Sequence, residues 1–348
     1  MFDPMLDSRK GAILRAIVRE YVRAGQPVGS KALSERLSLS VSAATVRNDM
    51  ALLEDLGYIH RPHSSAGGVP TDKGYRWFID NWPGPSWPDL PPGPRQAISE
   101  TFEHGFHALE EALDATSHIL SEVTEAVAVV AAPPARENRL RRLELLDRAD
   151  GRVGLLLIAD TGVVEQGLID LAGRKGEQEL TDLANALSTE LHGAAFEDLP
   201  DRLSVLPAPG QRPDPLRQVI ADEVRRILAA GSWERIYRGG TANLLTPEKF
   251  TDLETAGGVV GVLEQPTILA ALLNTARGAG TMLVLIGEEH PIRQMQACAT
   301  VLASYRVGEQ GRGMLAVIGP TRMDYPLTIS AVTVVARSLS GMLDELAS

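Results

Sequence analysis

Residues 42–80 read SAATVRNDMALLEDLGYIHRPHSSAGGVPTDKGYRWFID, and the fold of the N-terminal part turns on them. Stepping about 100° per residue along a helix from Val46 puts Met50 and Leu53 on one face, with Ala43 near its edge. Ala44, Asn48, Ala51 and Asp55 fall opposite, flanked by Thr45 and Arg47. Ser42 is the expected N-cap and Gly57 the expected stop. A helix that reads DNA needs one packing face and one face of small and hydrogen-bonding residues. Ala44 and Ala51 leave room for a major groove, Asn48 suits adenine, and Arg47 suits guanine or phosphate. The same face also fits a solvated helix on an ordinary three-helix core.

The next residues favour the DNA reading. Tyr58–Arg61 opens as a strand, Ser64–Pro70 with Gly67 and Gly68 is a loop or hairpin tip, and Thr71–Trp82 returns as a strand turning into a short helix. A strand, loop and strand directly after such a helix is the layout of a wing. Its cationic and hydroxyl side chains suit phosphate or minor-groove contact. His60 and His63 lie three apart with no nearby Cys or third His in pattern, so surface roles are expected and no metal. Upstream, 8–24 is an amphipathic helix with Ser8 as cap and Gly25 as stop, built on Ile13, Ile17 and Tyr21. Ser30 caps a second helix with Leu33 and Leu37 inward, and Ser38–Ser40 is a tight turn.

Downstream, WPGPSWPDLPPGP at 82–94 is too rich in Pro and Gly for a helix or central strand, and reads as a linker. A long amphipathic helix is expected over 95–130. Strands are expected over 140–147, 151–160 and 162–171, then helices over 177–192 and 215–230. A strand over 232–239, helix over 250–277, strand over 282–286, helix over 292–304, strand over 314–319 and helix over 326–346 complete the chain.

The 348 residues exceed what one core usually organises. An apolar content of 44% with 23% charge fits a globular protein with real cores. No run approaches the roughly 18–20 apolar residues of a membrane span, and the N-terminus lacks a signal core. A cytoplasmic protein without membrane contact is expected. Net charge is −11, yet residues 1–80 carry eleven Lys/Arg against nine Asp/Glu, leaving −13 on the rest. A mildly basic head on an acidic body suits a DNA reader with a separate regulatory or oligomerising part. The single Cys298 excludes a disulfide framework and a multi-cysteine zinc site. It is expected within a helix as a small buried hydrophobe. Paired with His290 it lacks an orienting third residue, so an enzyme is not expected. No Gly-rich phosphate loop of standard spacing is present, and no cofactor is expected. The segment Gly319–Tyr325 fits either a structural turn or the wall of a polar pocket. An aromatic content of 5% argues against a single-strand stacking surface.

Residues 25–80, from GQPVGSKALSERL to DKGYRWFID, resemble the N-terminal domain of HrcA, the bacterial heat-shock repressor family. So do LIGEEHPIRQMQACATVLASY at 285–305 and VIGPTRMDY at 317–325, and YRGGTANLL at 237–245 is also similar. The resemblance implies an α+β multidomain protein: an N-terminal winged helix-turn-helix, then a GAF-like α/β domain with an inserted α+β dimerisation domain. The expected boundaries are 1–82 for the winged helix, 83–95 for the linker, 96–172 and 255–348 for the two parts of the GAF-like domain, and 173–254 for the insertion. It implies a homodimer repressing chaperone operons from an inverted-repeat operator in double-stranded DNA. The chaperonin GroEL is the implied modulator, keeping the repressor active until heat shock. The expected DNA-binding set is Ser30, Lys31, Ser42, Ala44, Thr45, Arg47, Asn48, Arg61, His63, Ser64, Thr71, Lys73 and Arg76. Two departures from the family pattern stand out. Gly68 replaces an expected Arg at the wing tip, and His290 stands where the family usually has Asn. The alternative function is a ligand-gated winged-helix regulator whose GAF-like body senses a small metabolite.

Overall fold

The computed structural model describes residues 6–36, 42–63, 66–103, 105–106, 108–133, 138–148, 152–170, 176–204, 215–230, 235–245, 253–276, 282–307 and 311–346. The expected turn at Ser38–Ser40 and the inward Leu37 lie outside them. The chain is a mixed α/β protein, with three separate sheets among the described residues.

The head begins with α1 (Ser8–Ala24), capped by Asp7, whose carboxylate accepts from the Lys10 backbone N–H. That cap lies one residue before the expected Ser8. Gly25 ends α1 in the left-handed region at φ 66°, a conformation that costs a glycine nothing. Two further helices follow, α2 (Ser30–Arg36) and α3 (Ala43–Asp55). A short antiparallel ribbon, β1 (Ile59–His60) with β2 (Val69–Pro70), leads into α4 (Asp72–Asp80). The expected strand at 71 onward is helix instead: the Thr71 side chain accepts from the Gly74 N–H and starts α4 at once.

The Pro/Gly segment is shorter than expected and is strapped down. Trp82 stacks on Trp87 at 4.6 Å, Leu90 is buried, and the Ser330 hydroxyl donates to the Pro88 carbonyl. Pro92 already begins α5 (Pro92–Glu103). The single helix expected over 95–130 is three elements: α5, α6 (Leu109–Thr124) and β3 (Val127–Ala131). Gly105 at φ 65° lies between α5 and α6, and Glu125 at φ 50° ends α6.

Next come β4 (Leu140–Asp147), β5 (Arg152–Ala159) and β6 (Val164–Asp170), an antiparallel meander. Of the helices α7 (Glu177–Leu191), α8 (Leu199–Leu203) and α9 (Pro215–Ala230), α7 packs on β4 and α9 on β6. The expected boundary at 172/173 therefore cuts through elements that share a core. The chain then returns through β7 (Ile236–Gly239), α10 (Leu253–Leu263), α11 (Pro266–Thr275) and β8 (Met282–Ile286). It ends with β9 (Cys298–Val307), β10 (Gly311–Pro320) and α12 (Tyr325–Leu346).

The largest sheet is antiparallel in the order β7-β3-β10-β9-β8, and strand alternation divides its side chains between two cores. Val127, Val129, Cys298, Leu302, Met314, Ala316 and Ile318 face α10 and α11. Ala128, Val130, Ala299, Val301, Leu315 and Val317 face the other side, where α6 and α12 lie. The helix expected over 292–304 is thus mostly strand β9. Both of its faces are buried, so its apolar run carries no polar alternation to separate strand from helix. By length and composition α12 is apolar enough to cross a membrane, unlike the sequence expectation. Here Tyr325, Ile329, Val332, Val335 and Leu339 are buried, at the spacing of a helix lying on a protein core.

Candidate nucleic-acid interface

The start of α3 is fixed locally. The Ser42 hydroxyl oxygen accepts from the Thr45 N–H at 3.2 Å, which satisfies one of the helix's free donors. Val46, Asp49, Met50 and Leu53 are buried, whereas Ala44, Arg47, Asn48, Ala51 and Asp55 are exposed. Val46, Met50 and Leu53 join Ile13, Leu14, Ile17 and Leu33 in one core. The outer face is therefore the one the helical stepping isolates, and Thr45 is half-buried at its edge. Two further members of this helix are not evident from its periodicity. Leu52 is an exposed large apolar residue one turn beyond Asn48. Asp49 is buried and accepts from both Nε and a terminal nitrogen of Arg9, at 2.8 and 3.1 Å. The available signal was a carboxylate on the Val46–Met50 side, which needs a partner.

The ribbon is held at its base. Val28 and Gly68 exchange two backbone hydrogen bonds, at 3.0 and 2.9 Å. Gly68 is buried there, and a side chain on it would meet Ile59 and Met50. Gly68 is therefore not a wing-tip position, and its lack of a cation removes no outward contact. A Cβ on Gly67 would strike the Val28 backbone. His60 and His63 are exposed, and Arg61 lies 3.3 Å from Glu54 of α3. Ser64 lies outside the described residues. Lys31 is exposed on α2 and Ser30 is half-buried at its start.

Three expected DNA contacts are engaged elsewhere. Thr71 caps α4 and its hydroxyl donates to the Gly57 carbonyl at 2.7 Å. Lys73 donates to the Leu56 carbonyl at 3.0 Å and covers the Tyr58 ring at 4.4 Å. Arg76 turns away from α3 to Glu289 and the Val284 carbonyl. All three sit on or next to α4, whose helical start redirects side chains that a returning strand would have presented outward. Arg15 and Arg19 also lean toward this side, over the rings of Trp77 and Trp82.

Neither member of the Cys298/His290 pair is set for nucleophilic chemistry. Burial pushes the Cys298 thiol up to about 12 and keeps it protonated. Burial likewise holds His290 neutral, at about 4, against the opposing charge of Glu289. Among the described residues no group of three or more His, Cys, Asp or Glu side chains could hold a metal.

Residues 110–329 match the family model described as the HrcA protein C-terminal domain. A heat-inducible transcription repressor HrcA from Streptomyces avermitilis is 40% identical over 347 residues, covering 98% of this chain and 100% of the relative. The chain belongs to the HrcA family. Other HrcA repressors agree, at 42% identity for Acidothermus cellulolyticus and 34% for Symbiobacterium thermophilum, each over at least 97% of this chain and 99% of the relative. HrcA proteins bear the name of heat-inducible transcription repressors, and the chain is a transcriptional repressor of that family. A solved structure described only as a hypothetical protein shares the fold of this HrcA chain, with a TM-score of 0.63 at 23% identity over 98% of this chain and 99% of the other.

Proposed function

We propose that this chain represses chaperone operons by seating α3 in the major groove of an inverted-repeat operator. The observation that carries the reading is the division of α3: one face is wholly buried, and the other offers Ala44, Arg47, Asn48 and Ala51. In this reading α1 to α4 with the ribbon form the winged helix-turn-helix. Arg47 and Asn48 read bases. Ser42, Thr45, Ser30, Lys31, Arg61 and His63 hold the backbone, and Ser64, outside the described residues, is assigned the same role. The larger sheet with helices on both faces is the GAF-like domain. The inserted unit runs from about β4 to α9. It works in the cytoplasm, where the operators are.

The chain acts as a homodimer, because a two-fold protein matches a two-fold operator. The outer face of the three-stranded sheet favours this, with Leu146, Val164 and Leu168 exposed by 47%, 43% and 37%. The chaperonin GroEL is the proposed modulator, which rests on family membership alone. The test is a gel shift with the inverted repeat upstream of the organism's own chaperonin operon, against scrambled DNA, with and without chaperonin. Arg47→Ala or Asn48→Ala should weaken operator binding by about 1–3 kcal/mol per lost base contact. Equal affinity for palindrome and scrambled duplex would sink the reading. Unchanged binding on adding chaperonin would remove the feedback.

A further inference from the structure

Two of the stretches that carry the family resemblance, 25–80 and 285–305, lie more than 200 residues apart in sequence and meet in space. Arg76 on α4 pairs with Glu289, through Nε at 2.7 Å to Oε1 and through a second nitrogen to Oε2. The same guanidinium donates to the Val284 carbonyl at 2.6 Å, and Glu289 Oε2 accepts from the Ile286 N–H at 2.9 Å. Among the described residues β8 is an edge strand, so Val284 and Ile286 would otherwise turn open backbone groups outward. The Arg76–Glu289 pair closes that edge in place of a sixth strand, and one of its members comes from the head.

A second contact lies one helical turn earlier. The Asp72 carboxylate accepts from the Glu288 N–H at 3.2 Å, and Gly287, at φ 53°, sits so close to that carboxylate that a Cβ would strike it. A third lies at the end of α1, where the Arg322 guanidinium rests against Gly25 and leaves no room for a side chain. The rings of Tyr75 and Tyr325 meet between them at 5.4 Å. These contacts are spread over α1 and α4, so they fix orientation as well as proximity. Flexible tethering would need none of them, and the Trp82–Trp87 stack already shortens the connection.

We infer that this joint determines operator specificity: Asp72, Arg76 and Glu289, with Arg322 against Gly25, fix how α3 is presented and so select the spacing between half-sites. The inference rests on the dimeric, inverted-repeat reading proposed above. Adding one base pair moves a half-site by about 3.4 Å and turns it by roughly 35°. A swivelling head would follow that change, and a head held at three points would not. The joint residues touch no DNA. They are positioning residues, and they act on spacing more than on the affinity of one head for one half-site.

The test uses the full-length chain and a series of duplexes, made from the inverted repeat with spacers one, two and five base pairs longer or shorter, plus a single half-site. Wild type should prefer one spacing by more than about tenfold, the gain from engaging both half-sites together. Arg76→Gln should flatten the profile to within about threefold while half-site affinity stays within about twofold. Glu289→Gln, which keeps an acceptor for Ile286, should flatten it less, and Arg76→Lys should recover part of the preference. A melting curve on each variant shows that it is folded, and Glu289→Gln carries the test if Arg76→Gln is not. Variants that keep the wild-type spacing profile overturn the joint's role. A wild-type chain indifferent to the inverted repeat overturns the parent reading, and the joint with it.

Discussion

Arg9 on α1 grips Asp49 on α3 with two nitrogens, and only one partner is buried: the Asp49 side chain is 8% exposed and that of Arg9 43%. The hydrogen bond to Asp49 raises the Arg9 pKa above its usual value. Removing either partner therefore has unequal consequences. Arg9→Met strands a buried carboxylate and should lower the melting temperature of the chain. Asp49→Asn leaves an amide that still accepts from Arg9, and should lower it less. Thermal unfolding of both variants at neutral pH checks the order, and an equal or reversed loss contradicts it.

The ribbon gives a second prediction. Gly67→Ala places a methyl against the Val28 backbone, which cannot swing aside like a side chain. A loss of about 1–3 kcal/mol is expected, as for other strained or overpacked sites. Gly68→Arg should destabilise as well, through Ile59 and Met50, without tightening operator binding. Denaturant unfolding measures the first effect and a gel shift the second. Tighter binding by Gly68→Arg would show that position 68 faces DNA after all.

Salt dependence separates the cations. Each phosphate contact contributes about 0.9 to the slope of log affinity against log salt. Lys31→Ala should reduce that slope by about one contact. Lys73→Ala should leave it unchanged, because Lys73 is already held by the Leu56 carbonyl and the Tyr58 ring. A reduced slope for Lys73→Ala would return it to the DNA surface.

The outer face of the three-stranded sheet gives a fourth. Leu146 pairs across Gly154 with Leu168, on the same side as Ile158 and Val164. Leu146→Glu with Leu168→Glu should lower the mass seen by sedimentation equilibrium and weaken binding to the inverted repeat. Single half-site binding should survive. An unchanged mass excludes this face as the dimer contact.

How far the sequence could be read depended on whether one face of an element met water. In α3 it did, so the positions of Ala44, Asn48 and Ala51 followed from helical stepping. In β5 the alternation of buried Val153, Leu155 and Leu157 with half-exposed neighbours carried the same information. In β9 and β3 both faces are covered, and no periodicity survives to mark a strand. The roles of Arg76 and Asp72 were hidden for another reason. Their partners Glu289 and Glu288 lie more than 200 residues away, and an exposed-looking cation after a ribbon has the same local pattern whether it meets phosphate or a carboxylate. Gly68 misled because glycine marks both a tip and a tight crossing, and only the approach of Val28 distinguishes them.

His290 sits behind the joint, buried, with Nε2 3.3 Å from the Thr300 hydroxyl oxygen and no partner for Nδ1. Burial lowers its pKa from 6.5 to about 4, against the pull of Glu289. The folded chain then binds fewer protons than the unfolded chain between those values. Stability therefore rises with pH across that window, and what His290 contributes above pH 6.5 is lost as the pH falls toward about 4. The most that shift supplies is about 3 kcal/mol. His290→Asn removes the titrating group while keeping a donor and an acceptor. Its melting temperature should fall less than that of wild type between neutral and mildly acidic pH. Because the 287–290 segment also carries the Glu288 and Glu289 contacts to the head, the spacing profile of the operator should loosen in wild type over the same acid range, and less in His290→Asn. Parallel acid profiles for the two proteins, in melting and in spacing alike, would place the acid sensitivity elsewhere.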